Sequence, residues 1–319
     1  PISVHTVSVS CIVKGDDGST TLQEVPFVKK ITAAPYEIWS CEFAFPHPGL
    51  FFYYFYITTR DGGFRLFKQG DDTNMEAGTL WQVSCIPADF HTPDWAKGAT
   101  IYQVFPDRFR KCGDCDLTGK LTPYVLHNDW YEEVFWQPTP EGVVLNNDFY
   151  GGNFKGITEK MDYIASLGTT ILYLNPISKS FSSHRYDTGD YKVPDPMLGT
   201  LEDFREMVDC AHAHGIKVIL DGVYAHTGSN SPYFNREGQF DSVGAFNSKE
   251  SPYYSWFTFY SWPHVYNSWW SFDTLPTVNK MDPAFVEFII TGQDSVIAFW
   301  LRQGVDGFRL DLANESLSG

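Results

Sequence analysis

The sequence is short of basic residues: 23 Lys and Arg stand against 39 Asp and Glu, a formal net charge of −16. Nucleic acid and anionic membrane surfaces would both repel such a chain, so neither is expected as a main partner. No apolar run approaches the roughly 20 residues of a membrane span. The longest, LFFYYFYITT, is strand-length. No signal-peptide pattern opens the chain, and a start at Pro1 without Met reads as a mature or trimmed N-terminus. Cysteine is sparse and poorly grouped. Of Cys11, Cys41, Cys85, Cys112, Cys115 and Cys210, only Cys112 and Cys115 form a CxxC, and no second pair completes a zinc site. The thiols read as small buried hydrophobes in a reducing compartment. A cytoplasmic location is expected, with secretion left open.

What the chain has in quantity is aromatic side chains: 10 Trp, 18 Tyr and 26 Phe. They serve a large core or form platforms for sugar rings and apolar ligands, and composition leaves both readings open. Residues 1–90 read as all-β. VHTVSVSCIV, LQEVPFVKKI, YEIWSCEFAF, LFFYYFYITT, FRLFKQ and LWQVSCI are separated by GDDGS, HPG and RDGG turns, which suggests an immunoglobulin-like sandwich. IPADFHTPDWAKG is the natural linker. Residues 91–319 follow another grammar. TIYQVF, TTILYLNPI, IKVILDGV and VDGFRLDL are strands. Between them lie helices over GITEKMDYIASLG, TLEDFREMVDCAHAHG and PAFVEFIITGQDSVIAFWLRQG, the second with a Thr200-to-Asp203 capping signature. Alternation of this kind is α/β: a parallel sheet covered by helices. A closed parallel barrel needs eight strands, whereas an open sheet stops at four or five, so the count alone leaves both open.

Polar groups gather at the strand ends, where parallel α/β sheets carry their sites. The third strand ends in Asp221 and, beyond it, His226. The fourth carries Arg309 and Asp311, two residues apart and so on one face. A guanidinium beside a carboxylate favours its ionised form, which a carboxylate nucleophile requires. A structural ion pair is the alternative. The loop after the second strand, SSHRYDTGDY, adds His184, Tyr186, Asp187 and Asp190 to the same rim, a surface suited to a hydroxyl-rich ligand.

YQVFPDRF, FYGGNFKGI, HRYDTGDY, DGVYAH, LPTVN and GFRLD, in that order, resemble the α-amylase family, glycoside hydrolase family 13, and its cyclomaltodextrinase, neopullulanase and maltogenic amylase branch. The resemblance spans residues 98–315. It implies a (β/α)8 TIM barrel, present to about its first half of four β/α units, behind the N-terminal sandwich. It implies retaining hydrolysis of α-1,4 bonds in cyclodextrin, pullulan or starch oligosaccharides. Asp311 matches the nucleophile and Arg309 the arginine that orients it. Tyr186 matches the tyrosine that stacks under the sugar, with His184 close by. His226 corresponds to a sugar-hydroxyl ligand and Asp221 to a structural aspartate.

The resemblance also implies what is missing. The acid/base glutamate after the fifth strand and the His–Asp pair after the seventh have no counterpart, and Glu315 lies too near Asp311 to substitute. The chain is therefore expected to be a fragment with very poor activity alone. Open first and fourth strands lead us to expect a homo-oligomer or a complementing polypeptide, which a monodisperse monomer in light scattering would overturn. Ala225 stands where the family has a calcium-ligating asparagine. In this branch calcium can instead sit in the first loop, on Asp114, Asp116, the Gly151 carbonyl and Asn153, although Cys112 and Cys115 intrude there and a CxxC disulfide is an alternative. No organic cofactor is expected. Trp256, Trp262, Trp269 and Trp270 are expected to line the cleft. A non-catalytic carbohydrate-binding or partner module and a transglycosylase share these residues and remain as alternatives.

Overall fold

The computed structural model of the chain describes residues 6–15, 23–33 and 36–313. Glu315 lies outside them. Two compact units divide at Thr92 and Pro93.

The first unit holds eight strands: β1 (Thr6–Gly15), β2 (Gln23–Pro26), β3 (Val28–Ala33), β4 (Tyr36–Ser40), β5 (Gly49–Thr59), β6 (Gly62–Gln69), β7 (Asp72–Asn74) and β8 (Trp81–Cys85). Six form one antiparallel sheet in the order β2-β1-β5-β6-β7 with β8 also on β5, while β3 and β4 make a separate ladder. LQEVPFVKKI, expected as one strand, is two. Pro26 ends the first, having no N–H to continue a ladder. Cys11, Val13, Val25 and Phe51 form the buried cluster.

In the second unit β9 (Ile101–Val104), β10 (Ile171–Leu174), β11 (Lys217–Gly222) and β12 (Gly307–Leu310) build one sheet whose spatial order follows the chain. All three pairings are parallel. Every residue of β10 is buried, as expected of a strand covered on both faces. The outer strands are less protected: Ile101 and Leu310 are 56% and 53% exposed.

The connections contain helices where the apolar periodicity places them, with two differences. GITEKMDYIASLG divides into α1 (Phe154–Glu159) and α2 (Met161–Ser166) at Lys160, whose backbone leaves the helical region. Ile157, Met161 and Ile164 are buried as the spacing predicts, but Leu167 is exposed. α3 (Leu201–Ala213) is uninterrupted and starts on a complete Thr200–Asp203 capping box. The segment expected as one long helix is broken. α4 (Pro283–Val286) runs into a π-helical turn at Glu287–Thr291, Gly292 turns extended, and Ser295 caps a fresh helix, α5 (Val296–Arg302). By length and composition Pro283–Arg302 is apolar enough to cross a membrane, with a mean hydropathy of 1.4, contrary to the expectation that no run is. Its Phe285, Ile289, Val296 and Trp300 instead join the buried cluster around the parallel sheet.

Candidate active site

Register brings the charged groups together. β11 and β12 pair so that Asp221 lies beside Arg309, and β10 pairs with β11 so that Tyr173 lies beside Ile219, one pleat before Asp221. Tyr173, Asp221, Arg309 and Asp311 therefore share one face at the carboxyl end of the sheet. Arg309 Nη1 donates to Asp221 Oδ1 at 2.9 Å and to Asp311 Oδ1 at 2.6 Å. The Asp221 side chain is fully buried, and its other oxygen accepts from the hydroxyls of Tyr173 at 2.5 Å and Tyr186 at 2.8 Å. The Asn175 amide donates to the Tyr186 hydroxyl at 3.2 Å and accepts from Gln103 at 2.8 Å. One hydrogen-bonded chain thus crosses all four strands, from Gln103 on β9 to Asp311 just past β12.

The electrostatics follow from burial and from Asp221. Burial, then the charge and bonding of Asp221, pushes the Tyr186 hydroxyl up to about 12. Tyr173 is raised further, by burial and then its bond to Asp221. Both therefore remain donors at neutral pH. Burial pulls the Arg309 guanidinium down, but its bond to Asp221, the Asp221 charge and the contact with Asp311 outweigh this and raise it overall. Burial lowers His184, whose Nδ1 accepts from the Tyr186 backbone at 3.0 Å. His226 Nε2 meets the Tyr186 carbonyl at 3.0 Å, so both histidines brace the tyrosine's backbone.

The loop carrying His184 and Tyr186 turns at Arg185, a left-handed residue with φ 63° and a fully buried side chain. Arg185 Nε lies 3.2 Å from Asp195 Oδ2, the same oxygen that binds Lys120, and Arg185 Nη1 donates to the Ser183 carbonyl. Such a buried ion cluster holds a strained turn in one conformation. Asp187 and Asp190 are not presented to a ligand as expected. Asp187 accepts from Ser180 and Ser182 of its own loop, and Asp190 from the Lys192 backbone.

Residues 103–317 match the family model described as "Alpha amylase, catalytic domain". The chain belongs to the α-amylase family. An amylopullulanase of Thermoanaerobacterium saccharolyticum is 36% identical over 98% of this chain and 27% of its own length. Neopullulanase 2 of Thermoactinomyces vulgaris is 36% identical over 71% of the chain and 36% of its own. Among solved structures, the type III pullulan hydrolase from Thermococcus kodakarensis has a TM-score of 0.59 at 30% identity, over 98% of this chain and 52% of that one. The chain thus spans about a quarter to a half of the length of these relatives.

The amylase-family resemblance carried further expectations that the geometry revises. The first-loop calcium set does not fit. Asn153 Oδ1 caps α1 by accepting from Gly156, and its amide donates to the Cys112 carbonyl. The Gly151 carbonyl faces the Cys115 thiol at 3.4 Å, and Asp116 accepts from the Thr118 backbone, while Asp114 is exposed. Calcium wants several convergent oxygens, and those of Asn153, Gly151 and Asp116 already take protein donors. Among the described residues no group of three or more His, Cys, Asp or Glu could hold a metal ion. Cys112 and Cys115 are free thiols, not a disulfide. Of the four tryptophans, Trp256 is 3% exposed and packs on Tyr233 and Phe285, so it belongs to the core. Trp262 donates to the Ala245 carbonyl. Trp269 stacks on His226 at 5.9 Å and on Trp270, which is open to solvent. Sequence reasoning missed Tyr173, Asn175 and Gln103. The available signal was strand parity: Tyr173 and Asn175 are two apart and share a face.

Proposed function

We propose that the chain is the nucleophile-bearing part of a retaining α-glucan hydrolase that acts on α-1,4-glucosidic bonds in cyclodextrin, pullulan or starch oligosaccharides. The supporting observation is the single guanidinium nitrogen of Arg309 that bonds both Asp221 and Asp311. Asp221 is sealed and occupied by three donors, which leaves Asp311 as the carboxylate able to meet a sugar. In this reading an Asp311 oxygen bonds the anomeric carbon as the glycosidic oxygen departs, and water later releases the sugar with retained configuration. Tyr186 stacks under the sugar and His184 meets its hydroxyls, while His226, 2% exposed and held on the Tyr186 carbonyl, positions the tyrosine instead of reaching the ligand. Departure of a glycosidic oxygen needs a proton from a second carboxyl, roughly 5–5.5 Å from the nucleophile in retaining enzymes. We assign that group to none of the four strands, so the chain alone should bind glucan and turn it over poorly. The exposed faces of the outer strands fit a second copy or a complementing polypeptide.

An activated substrate tests the reading without the missing acid. Fluoride leaves without protonation, so a 5-fluoro-α-glucosyl fluoride should add one glycosyl mass to the 319-residue chain, and peptide mapping should place it on Asp311. Asp311→Asn should take up none. No adduct, or one on another residue, would refute the assignment and favour a non-catalytic module.

A further inference from the structure

Beside the cleft lies a groove of about 540 Å³, within the roughly 300–1,000 Å³ of small-ligand sites. It is lined mainly by the loop between β9 and α1, with Ser183 and His184 of the loop that carries Tyr186 closing one side. Its walls are aromatic. Trp130, Phe135 and Trp136 are 64%, 52% and 62% exposed, three large rings within seven residues. Clustered exposed rings of this kind mark a ligand surface more often than chance packing. Two of them are held in place: the Trp130 indole donates to the Arg108 carbonyl at 2.7 Å, and Phe135 packs edge-on against His127.

The floor is polar and rigid. Arg108 ion-pairs with Asp107 and Asp148 and lies 4.5 Å from the Tyr150 ring centre. His127, almost fully buried, stacks on Tyr150 at 4.3 Å and bridges Glu132 at 2.9 Å and Asp148 at 3.3 Å. The Glu132 side chain remains 45% exposed at the mouth. Flat rings opposite fixed acceptors and donors suit a pyranose, whose C–H faces stack while its equatorial hydroxyls hydrogen-bond. A chain of net charge −16 favours a neutral ligand of this kind over an anion.

Two residues join the groove to the cleft. Phe105 follows the last residue of β9, and His184 both lines the groove and bonds the backbone of Tyr186. We propose that the groove is an accessory subsite for outlying glucosyl units of the same α-glucan strand whose reacting unit lies over Tyr186 and Asp311. This rests on the α-glucan reading above. It adds that affinity grows with chain length because Trp130 and Trp136 hold units remote from the reacting bond.

Calorimetric titration of the 319-residue chain with maltotriose and maltoheptaose tests it. The wild-type chain should bind the heptaose at least tenfold more tightly. Trp136→Ala should remove that tenfold, about 1.4 kcal/mol, and leave the triose unchanged, while Trp136→Phe keeps most of it. Circular dichroism checks the fold, and Trp136→Gln, a polar replacement at this exposed position, should reproduce the loss. If Trp136→Ala and Trp130→Ala leave heptaose binding unchanged while Tyr186→Ala weakens both sugars, the groove is refuted and the glucan reading stands. If neither sugar binds the wild-type chain, both fail.

Discussion

Asp221→Asn is the substitution that tests the organisation of the site most directly. The amide keeps the shape of the side chain but removes its charge, and it presents an NH2 to donors on one side whichever way it lies. Facing the tyrosines, the NH2 removes the acceptor shared by Tyr173 and Tyr186. Facing Arg309, it opposes a guanidinium. Hydrogen bonds to a charged group contribute about 1.5–3 kcal/mol each, and the hydroxyls can rotate to recover part of that. Breaking a buried ion pair costs about 3–5 kcal/mol, but Arg309 is 43% exposed and keeps Asp311, so that part is discounted to about 0–1 kcal/mol. A net loss of about 2–4 kcal/mol follows. For a unit of this size it corresponds to a fall of about 5–15 °C in the midpoint of thermal unfolding, read by near-ultraviolet circular dichroism. Labelling of Asp311 by the glycosyl fluoride should slow in the same variant, because Arg309 has lost its anchor on β11. Tyr173→Phe in the Asp221→Asn background should add less than it does in the wild-type chain, since both act on one network. A melting point within about 1 °C of wild type, with unchanged labelling, would show that Asp221 does not organise the site.

Two further substitutions probe the scaffold. Thr200→Ala removes the capping box of α3, which shares no hydrogen bond with Tyr186, Asp221, Arg309 or Asp311. It should cost about 1 kcal/mol, seen as a shift in urea midpoint with maltooligosaccharide affinity intact; equal losses in both would place α3 in the binding machinery. His214 is raised by its bond to the Cys210 carbonyl and then by Asp162. A histidine whose folded-state pKa lies above its unfolded value contributes stability that is complete below the unfolded pKa and is lost as pH rises through the folded one. The stability gap between wild type and His214→Gln should therefore be widest in mild acid and close towards alkaline pH. A gap that widens with pH would contradict the geometry.

Legibility in the sequence followed the strength of the local rule. Arg309 and Asp311 could be assigned to one face because strand parity is geometric, and the Thr200 box could be read because capping chemistry is local. The break at Gly292 was less legible. The apolar spacing continues across it, and the fresh cap at Ser295 competes with propensities that favour one helix. Trp256 was placed in the cleft because loop aromatics look alike in sequence, whereas packing on Tyr233, Phe285 and Phe288 decides its place. Asp187 and Asn153 were misjudged for a related reason. Short polar side chains in loops first satisfy neighbouring backbone and hydroxyl groups, and only those left over can serve a ligand.

The same accounting explains why opposite charges meet at the end of β12. One guanidinium faces two carboxylates, so the cluster retains negative charge, and the question is where that charge is offered. The Asp221 side chain is buried and takes three donors from three elements, which satisfies it without solvent. Asp311 takes Arg309 at a strand end where the sheet gives way to a turn. A buried pair kept only for stability would be expected to neutralise itself within the core, since isolated buried charge is costly. Here Asp221 consumes the interior bonding capacity and holds Arg309, and Asp311 is the carboxylate left at the strand end with Arg309 as its partner.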